Sequence, residues 1–367
     1  MTKEFFDRQT DLTAAKILIY RQYLNSYLPK VLMQFGKCFI VDFFCGRGKN
    51  GEQDGSPLVL LDVAKKMLES PVIKRKWVNA EIVIIFCDLE KKYCDDLTAL
   101  LKTMSLPKGI KILGPLCEDF KSTMDRATNT FKIVKTPKFF FLDPFTYSDI
   151  GIDDVKALMD VPAAEVLLFL PTFHSYRFVK CAQEVGALKK FLEDFTERGC
   201  ADYEDIYDFN ESIRLKLLKY IGLKYVRAVG LDEGTRKNAL FYLTKHITGM
   251  LVMNKLVWKY ATDGATVKTN RDIEPALFNL STVSSNYAKM KVLLQNHIKE
   301  QKQISNVEII DFAAQCGFDT KYANEVLKGM KKQGLIEVEY KQRDKIRGFY
   351  VADNHWDNEI AVIKHQG

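Results

Sequence analysis

None of the eight cysteines (positions 38, 45, 87, 94, 117, 181, 200 and 316) belongs to a Cys-x-x-Cys pair or a zinc-module spacing. A structural cysteine–zinc site is therefore not expected. The five histidines (174, 246, 297, 355 and 365) are scattered, with no i, i+4 pair, and no metal site is expected. Long apolar runs are missing too. Glu165–Phe173 is about nine residues long, whereas a membrane helix needs roughly 20. Residues 1–13 hold no apolar core, so no secretory signal is expected. The chain reads as a cytoplasmic protein with reduced, buried thiols and no membrane association. It contains no internal repeat or low-complexity tract.

What is present is ordinary globular composition: 367 residues, 47% hydrophobic and 28% charged. That length favours two domains. Net charge is +7, from 54 Lys and Arg against 47 Asp and Glu, an excess that suits anionic partners without naming one. The chain opens with helical spacing over Leu12–Leu28, then a β-rich run, Phe39–Phe44, ending in Cys45-Gly46-Arg47-Gly48. Ser56-Pro57 is expected to open a helix, with serine as N-cap and proline in the first position.

Strands and helices then alternate. Strands are expected at Glu81–Cys87, Ile110–Leu113, Lys138–Leu142 and Ala164–Leu170, with helices between them. Continuous apolar strands separated by helices predict an α/β fold with a parallel sheet covered on both faces. A mostly helical, charged insertion or lid is expected over about 174–231. A further strand follows at Asn238–Thr244, then a helix from His246 to about Tyr260. The polar stretch 261–283 is taken as the end of the first domain.

In such sheets ligands sit beyond the carboxyl ends of the strands. There this chain places Asp42 with Gly46 and Gly48, then Asp88, Asp119 and Asp143. Glycines let the backbone approach a ligand without a Cβ between them. Asp88 is placed to accept hydrogen bonds from ribose hydroxyls, and Asp119 from an adenine amino group. The fourth strand ends in Asp143-Pro144-Phe145. A carboxylate and a proline carbonyl there can together accept from one amino group, while an aromatic ring stacks on the base that carries it.

The order of these motifs resembles the three-Cys-motif partner (TcmP) proteins, bacterial relatives of Rossmann-type S-adenosylmethionine methyltransferases. The resemblance is carried by Asp42 to Gly48, Gly55-Ser56-Pro57-Leu58 and Phe141-Leu142-Asp143-Pro144-Phe145. It continues through Phe241 to His246 with Gly249, Met253 and Trp258, and covers roughly residues 12–262. It implies a methyltransferase sheet whose last strand is antiparallel, with S-adenosylmethionine as cofactor. Asp42, Gly46 and Gly48 would line the methionine end, Asp88 would hold the ribose and Asp119 the adenine, with Phe44 and Ser56 also cofactor-binding. Asp143, Pro144 and Phe145 would form the acceptor site, similar to the Asp-Pro-Pro-Tyr signature of amino-methyltransferases. A second protein, resembling radical S-adenosylmethionine enzymes and carrying three cysteines, is implied as partner.

Residues 284–367 follow another pattern. Helices are expected at Val307–Ala314 and Thr320–Gln333. Strands Leu335–Tyr340 and Gly348–Val351 would form a hairpin around 341–347, the layout of a winged helix-turn-helix. Lys321, Lys328, Lys331, Lys332, Lys341, Arg343, Lys345 and Arg347 face four acids (Glu325, Glu337, Glu339, Asp344). Eight minus four leaves +4 of the chain's +7 on a recognition helix and wing, a pattern suited to phosphates. The expectation is a methyltransferase domain (1–283) and a winged helix (284–367) that act on or bind nucleic acid. The alternative is a catalytically inactive adaptor binding DNA or a protein through its winged helix.

Overall fold

The structure, a computed structural model, describes residues 11–232, 237–261, 263–268, 280–341 and 351–366. Among the described residues, those up to Lys245 together with residues 267 and 268 form one compact unit. His246–Thr266 and the residues from 280 onward form a second.

The first unit is a mixed α/β, Rossmann-like layer structure. Its strands are β1 (Lys37–Asp42), β2 (Glu81–Asp88), β3 (Ile110–Cys117), β4 (Lys138–Leu142), β5 (Ala164–Leu170), β6 (Tyr225–Asp232), β7 (Lys237–Thr244) and a short edge strand, β8 (Thr266–Lys268). They lie in the order β8-β6-β7-β5-β4-β1-β2-β3. β1 to β5 are parallel, with Ile40 opposite Ile84 on one side and Phe139 on the other. β7 runs antiparallel to β5, with Leu168 opposite Phe241, and antiparallel to β6. The crossover therefore happens at β1, which lies between β2 and β4.

The central strands are buried on both faces, which is why they read as unbroken apolar runs. Phe140 and Leu142 point into a core shared with helices α5 (Phe120–Phe131), α6 (Ile152–Asp160), α8 (Gly186–Phe195) and α9 (Ile206–Ile221). Phe139 and Phe141 point the other way, onto Tyr23 and Tyr20 of α1 (Asp11–Phe35). Tyr20 stacks on Phe141 with ring centroids 4.4 Å apart.

The segment expected to be a helical insertion over 174–231 differs in two respects. Its helices are no lid, because Phe191, Phe195, Phe209 and Ile213 are buried in the main core. Its end is not helical: Tyr225–Asp232 is strand β6, paired with β7 from Tyr225 opposite Thr244 onward. Val226–Val229 holds only two β-branched residues, with Arg227 between them and Lys224 just before, which hid the strand. Pairing with β7 decides its conformation.

In the second unit α10 (Ile247–Tyr260) is tied to the turn after α12 (Asn306–Gln315). Asn254 donates to the Ala314 carbonyl at 3.0 Å, and the Trp258 indole donates to the Gly317 carbonyl at 2.9 Å. By contacts α10 thus groups with the C-terminal unit, whereas the polar stretch near 283 was the expected boundary. α13 (Thr320–Lys332) follows, N-capped by Asp319. β9 (Gln303–Ser305), β10 (Ile336–Tyr340) and β11 (Ala361–His365) form an antiparallel sheet with β11 central. The described partner of β10 is β11; of the strand expected at 348–351, residues 348–350 lie outside the described residues. Among the described residues no helix is long and apolar enough to cross a membrane.

Candidate functional site

Beyond Asp42 the chain leaves β1 through two left-handed glycines, Gly46 at φ +62° and Gly48 at φ +85°. L-residues with a Cβ are strained there. The two glycines have different surroundings. A Cβ on Gly48 would lie 2.9 Å from a Leu97 methyl of α4 (Lys91–Thr103), whereas one on Gly46 would meet nothing within 4 Å. Gly48 thus packs against the protein, and Gly46 borders open space. The Gly48 carbonyl accepts from the Gly55 amide at 2.8 Å. This closes a small loop in which Lys49–Asn50 pairs with Gln53–Asp54.

Two buried carboxylates hold the loop. Asp88, at the end of β2, accepts from the Gly46 amide at 2.8 Å and from the Glu90 amide at 2.9 Å. Asp42 accepts from the Ser56 hydroxyl at 2.6 Å and from the Phe44 amide at 3.3 Å. Ser56 lies just inside α2 (Ser56–Glu69), whose N-cap is Gly55, so its hydroxyl serves Asp42 rather than the expected cap. Burial pushes the Asp42 carboxyl up to about 7, opposed by the Ser56 hydrogen bond and assisted by the negative charge of Asp143. Burial also raises the Asp88 carboxyl, against the hydrogen bonds from Glu90 and Gly46. Each oxygen keeps a lone pair beyond these contacts.

The raised Asp42 value has a consequence for stability. A carboxyl titrating higher in the fold than in the unfolded chain stabilises the fold at low pH. That contribution is lost as pH rises from about 4 through about 7. Asp42→Asn is therefore expected to gain stability relative to wild type between pH 5 and pH 8. Urea midpoints measured across that range check it, and two parallel curves would count against it.

Asp143 is not the free amine clamp expected from its neighbours. Lys16 Nζ of α1 donates to both of its oxygens, at 2.7 and 2.6 Å. The same ammonium lies 4.4 Å from the centre of the Phe169 ring. The two side chains are 11% and 20% exposed, so the pair is largely removed from water. Lys16 was missed in the sequence. The signal was there, since Lys16 lies three and four positions before the buried Ile19 and Tyr20, on the apolar face of α1.

Pro144 is buried and Phe145 is 54% exposed, leaving its ring available beside Asp143. Phe44 is half-buried and stacks on Phe120 at 5.4 Å. Asp119 is exposed at the N-terminus of α5, where its carboxylate accepts from the Ser122 amide and hydroxyl at 3.0 and 2.6 Å, which holds it below the usual range. Asp42, Ser56, Asp88, Gly46 and Gly48 are thus knit into one hydrogen-bonded loop, while Asp119 caps a helix. His246 is a helix N-cap, its Nδ1 accepting from the Thr248 amide.

On α13, Lys321, Lys328, Lys331 and Lys332 are exposed, opposite the buried Tyr322, Val326, Leu327 and Met330. Lys341 is paired with Glu359 at 2.5 Å. Arg343, Lys345 and Arg347 lie outside the described residues. No group of three or more metal-ligating side chains occurs among the described residues.

No family model matches the chain, and no curated protein matches it. Among solved structures it is similar to a Legionella pneumophila protein of the domain family DUF519, at 17% identity and TM-score 0.38. That match covers 65% of this chain and 88% of the other. It is also similar to the small RNA methyltransferase HEN1, at 12% identity and TM-score 0.30, over 61% of this chain and 25% of HEN1. These likenesses are distant, and the functional reading rests on the residues themselves.

Proposed function

We propose that this protein is an S-adenosylmethionine-dependent methyltransferase acting on nucleic acid, with Asp143, Pro144 and Phe145 at the acceptor site. The observation that carries the reading is the left-handed Gly46, open on the side away from its own chain and pinned by Asp88. Three acids stand at the ends of neighbouring strands, the buried Asp42 on β1 and Asp88 on β2 and the part-buried Asp143 after β4. A strand order reversing at β1 and an antiparallel β7 agree with the fold that the TcmP resemblance implies. The same resemblance adds a three-cysteine protein as partner.

The cofactor would supply a methyl group on a positively charged sulfur, already activated for displacement. This chain's part is positioning. Asp88, hydrogen-bonded to the Gly46 amide, would accept from ribose hydroxyls. Asp42, buried and held by Ser56, would add negative charge near a cationic ligand in its ionised form. The exposed Phe145 ring can stack on a nucleobase next to Asp143. In the second unit, read here as a winged helix, the lysines of α13 are suited to phosphate contacts whose strength falls with salt.

Calorimetry tests this reading. Wild-type protein is expected to bind S-adenosylmethionine. Gly46→Asp is expected to lose about a hundredfold or more in affinity, because it places a Cβ and a third carboxylate on the open face. Absence of wild-type binding sinks the methyltransferase reading. Equal binding by the variant would move the cofactor away from this loop.

A further inference from the structure

Resting on the nucleic-acid reading, we infer that the first unit holds its substrate as a single strand. The platform for it is a set of aromatic and cationic side chains on the helix that follows β5. A duplex hides the faces of its bases in the stack, whereas a single strand offers them to side chains.

That helix, α7 (Thr172–Arg177), begins just past the carboxyl end of β5. Thr172 and Ser175 are fully buried and fix its inward face. His174, Arg177 and Phe178 are exposed, at the i, i+3 and i+4 spacing that keeps side chains on one side of a helix. The Arg177 guanidinium carbon lies 5.4 Å from the centre of the half-buried Phe173 ring and 5.7 Å from that of Phe178. No carboxylate of a described residue pairs with it. The segment 171–183 contains no Asp or Glu, while it adds the exposed Lys180.

A lone surface phenylalanine needs no explanation. Phe178, 48% exposed, differs because it flanks a guanidinium that has no anion of its own. Phenyl rings and guanidinium planes stack on bases of any sequence, and the same guanidinium takes a phosphate oxygen. An acid-free cationic segment interleaved with rings therefore complements a polyanion with accessible bases. The acceptor motif opens at the same end of the sheet. β4 and β5 run parallel, with Leu142 opposite Leu168, so Phe145 and α7 both follow carboxyl ends of neighbouring strands. Phe145, 54% exposed, takes the acceptor base, and α7 takes a flanking nucleotide.

Fluorescein-labelled DNA and RNA oligonucleotides of one mixed sequence are titrated with the full chain at fixed salt and followed by anisotropy. Each is used single-stranded and annealed to its complement. In at least one of the two, the single strand is expected to bind about tenfold tighter than its duplex. Phe178→Ala is expected to weaken single-strand binding about tenfold, the scale of one lost base–aromatic stack. Phe178→Trp should recover wild-type affinity within about twofold, since a larger ring stacks as well. Arg177→Ala is expected to lose about tenfold. Duplex affinity should change less than about twofold in all three variants, because the lysines of α13 supply phosphate contacts there. An abasic strand of the same length should bind no better than the duplex. Thermal melts confirm that each variant is folded, and Arg177→Ala carries the test if Phe178→Ala does not fold.

Equal affinity for single strand and duplex overturns the inference, as does an abasic strand bound like the intact one. So does a folded Phe178→Ala or Arg177→Ala variant with wild-type affinity, or one that loses duplex binding equally. Each of these outcomes leaves the nucleic-acid reading in place. Binding to none of the oligonucleotides overturns that reading as well, while calorimetry with S-adenosylmethionine reports separately on the cofactor site.

Discussion

Lys16→Ala is expected to lower the unfolding free energy by about 2–4 kcal/mol, because it leaves the Asp143 carboxylate largely buried with no counter-charge. The penalty falls towards the lower end of what breaking a buried ion pair costs, since the Asp143 side chain is 20% exposed and water reaches part of it. Asp143→Ala should cost a similar amount, by stranding the ammonium against Phe169. The informative variant is the double one. Removing both charges removes the unpaired state, so Lys16→Met with Asp143→Leu should be less destabilised than either alanine variant. Denaturant midpoints at constant m-value measure all three. If the single variants lose less than about 0.5 kcal/mol and the double is their sum, the pair behaves as an exposed one. The electrostatic picture of the Lys16–Asp143 pair would then fail with it.

Gly48→Val is the second large effect. The residue sits at φ +85°, and a Cβ would stand 2.9 Å from Leu97 Cδ1 and 3.2 Å from Leu100 Cδ1. Left-handed strain for a β-branched residue and overpacking against α4 act together, for an expected loss of about 3–5 kcal/mol. Gly46→Ala isolates the first term. It has similar strain, at φ +62°, but nothing within 4 Å of the new methyl, so about 1–2 kcal/mol is expected. Urea denaturation of the two variants side by side separates conformation from packing. A Gly46→Ala variant as unstable as Gly48→Val would mean that the open face of Gly46 is closed in solution.

Much of the fold was legible because it is written in local pattern. The apolar runs of β1, β2, β4 and β5 alternate with helices, and the first three run into an acid: Asp42, Asp88 and Asp143. That sufficed to place Asp42, Asp88 and Asp143 at one edge of one sheet. Gly46 and Gly48 were legible for the same reason, since a glycine pair directly after a buried strand is a local backbone requirement. Other features were not local. Strand β6 carries a weak β signal among charged neighbours, and its pairing with β7 makes it a strand. The Ser56 hydroxyl was read as a cap and turned out to hold Asp42. Tyr147, just after Asp143-Pro144-Phe145, packs on Phe191 at 5.4 Å, a partner in a segment expected to be an insertion or a lid.

By itself the amino-acid order determined a parallel α/β sheet, a glycine loop at the end of its first strand and a basic helix near the carboxyl terminus. All three follow from side-chain period, turn chemistry and charge within a few residues of one another. Only the tertiary structure decided that α10 groups with the C-terminal unit and that Lys16 closes onto Asp143. Those two residues lie 127 positions apart. Neither carries a local sign of the other, and burial makes their pairing obligatory: two opposite charges removed from water have no other partner of comparable strength.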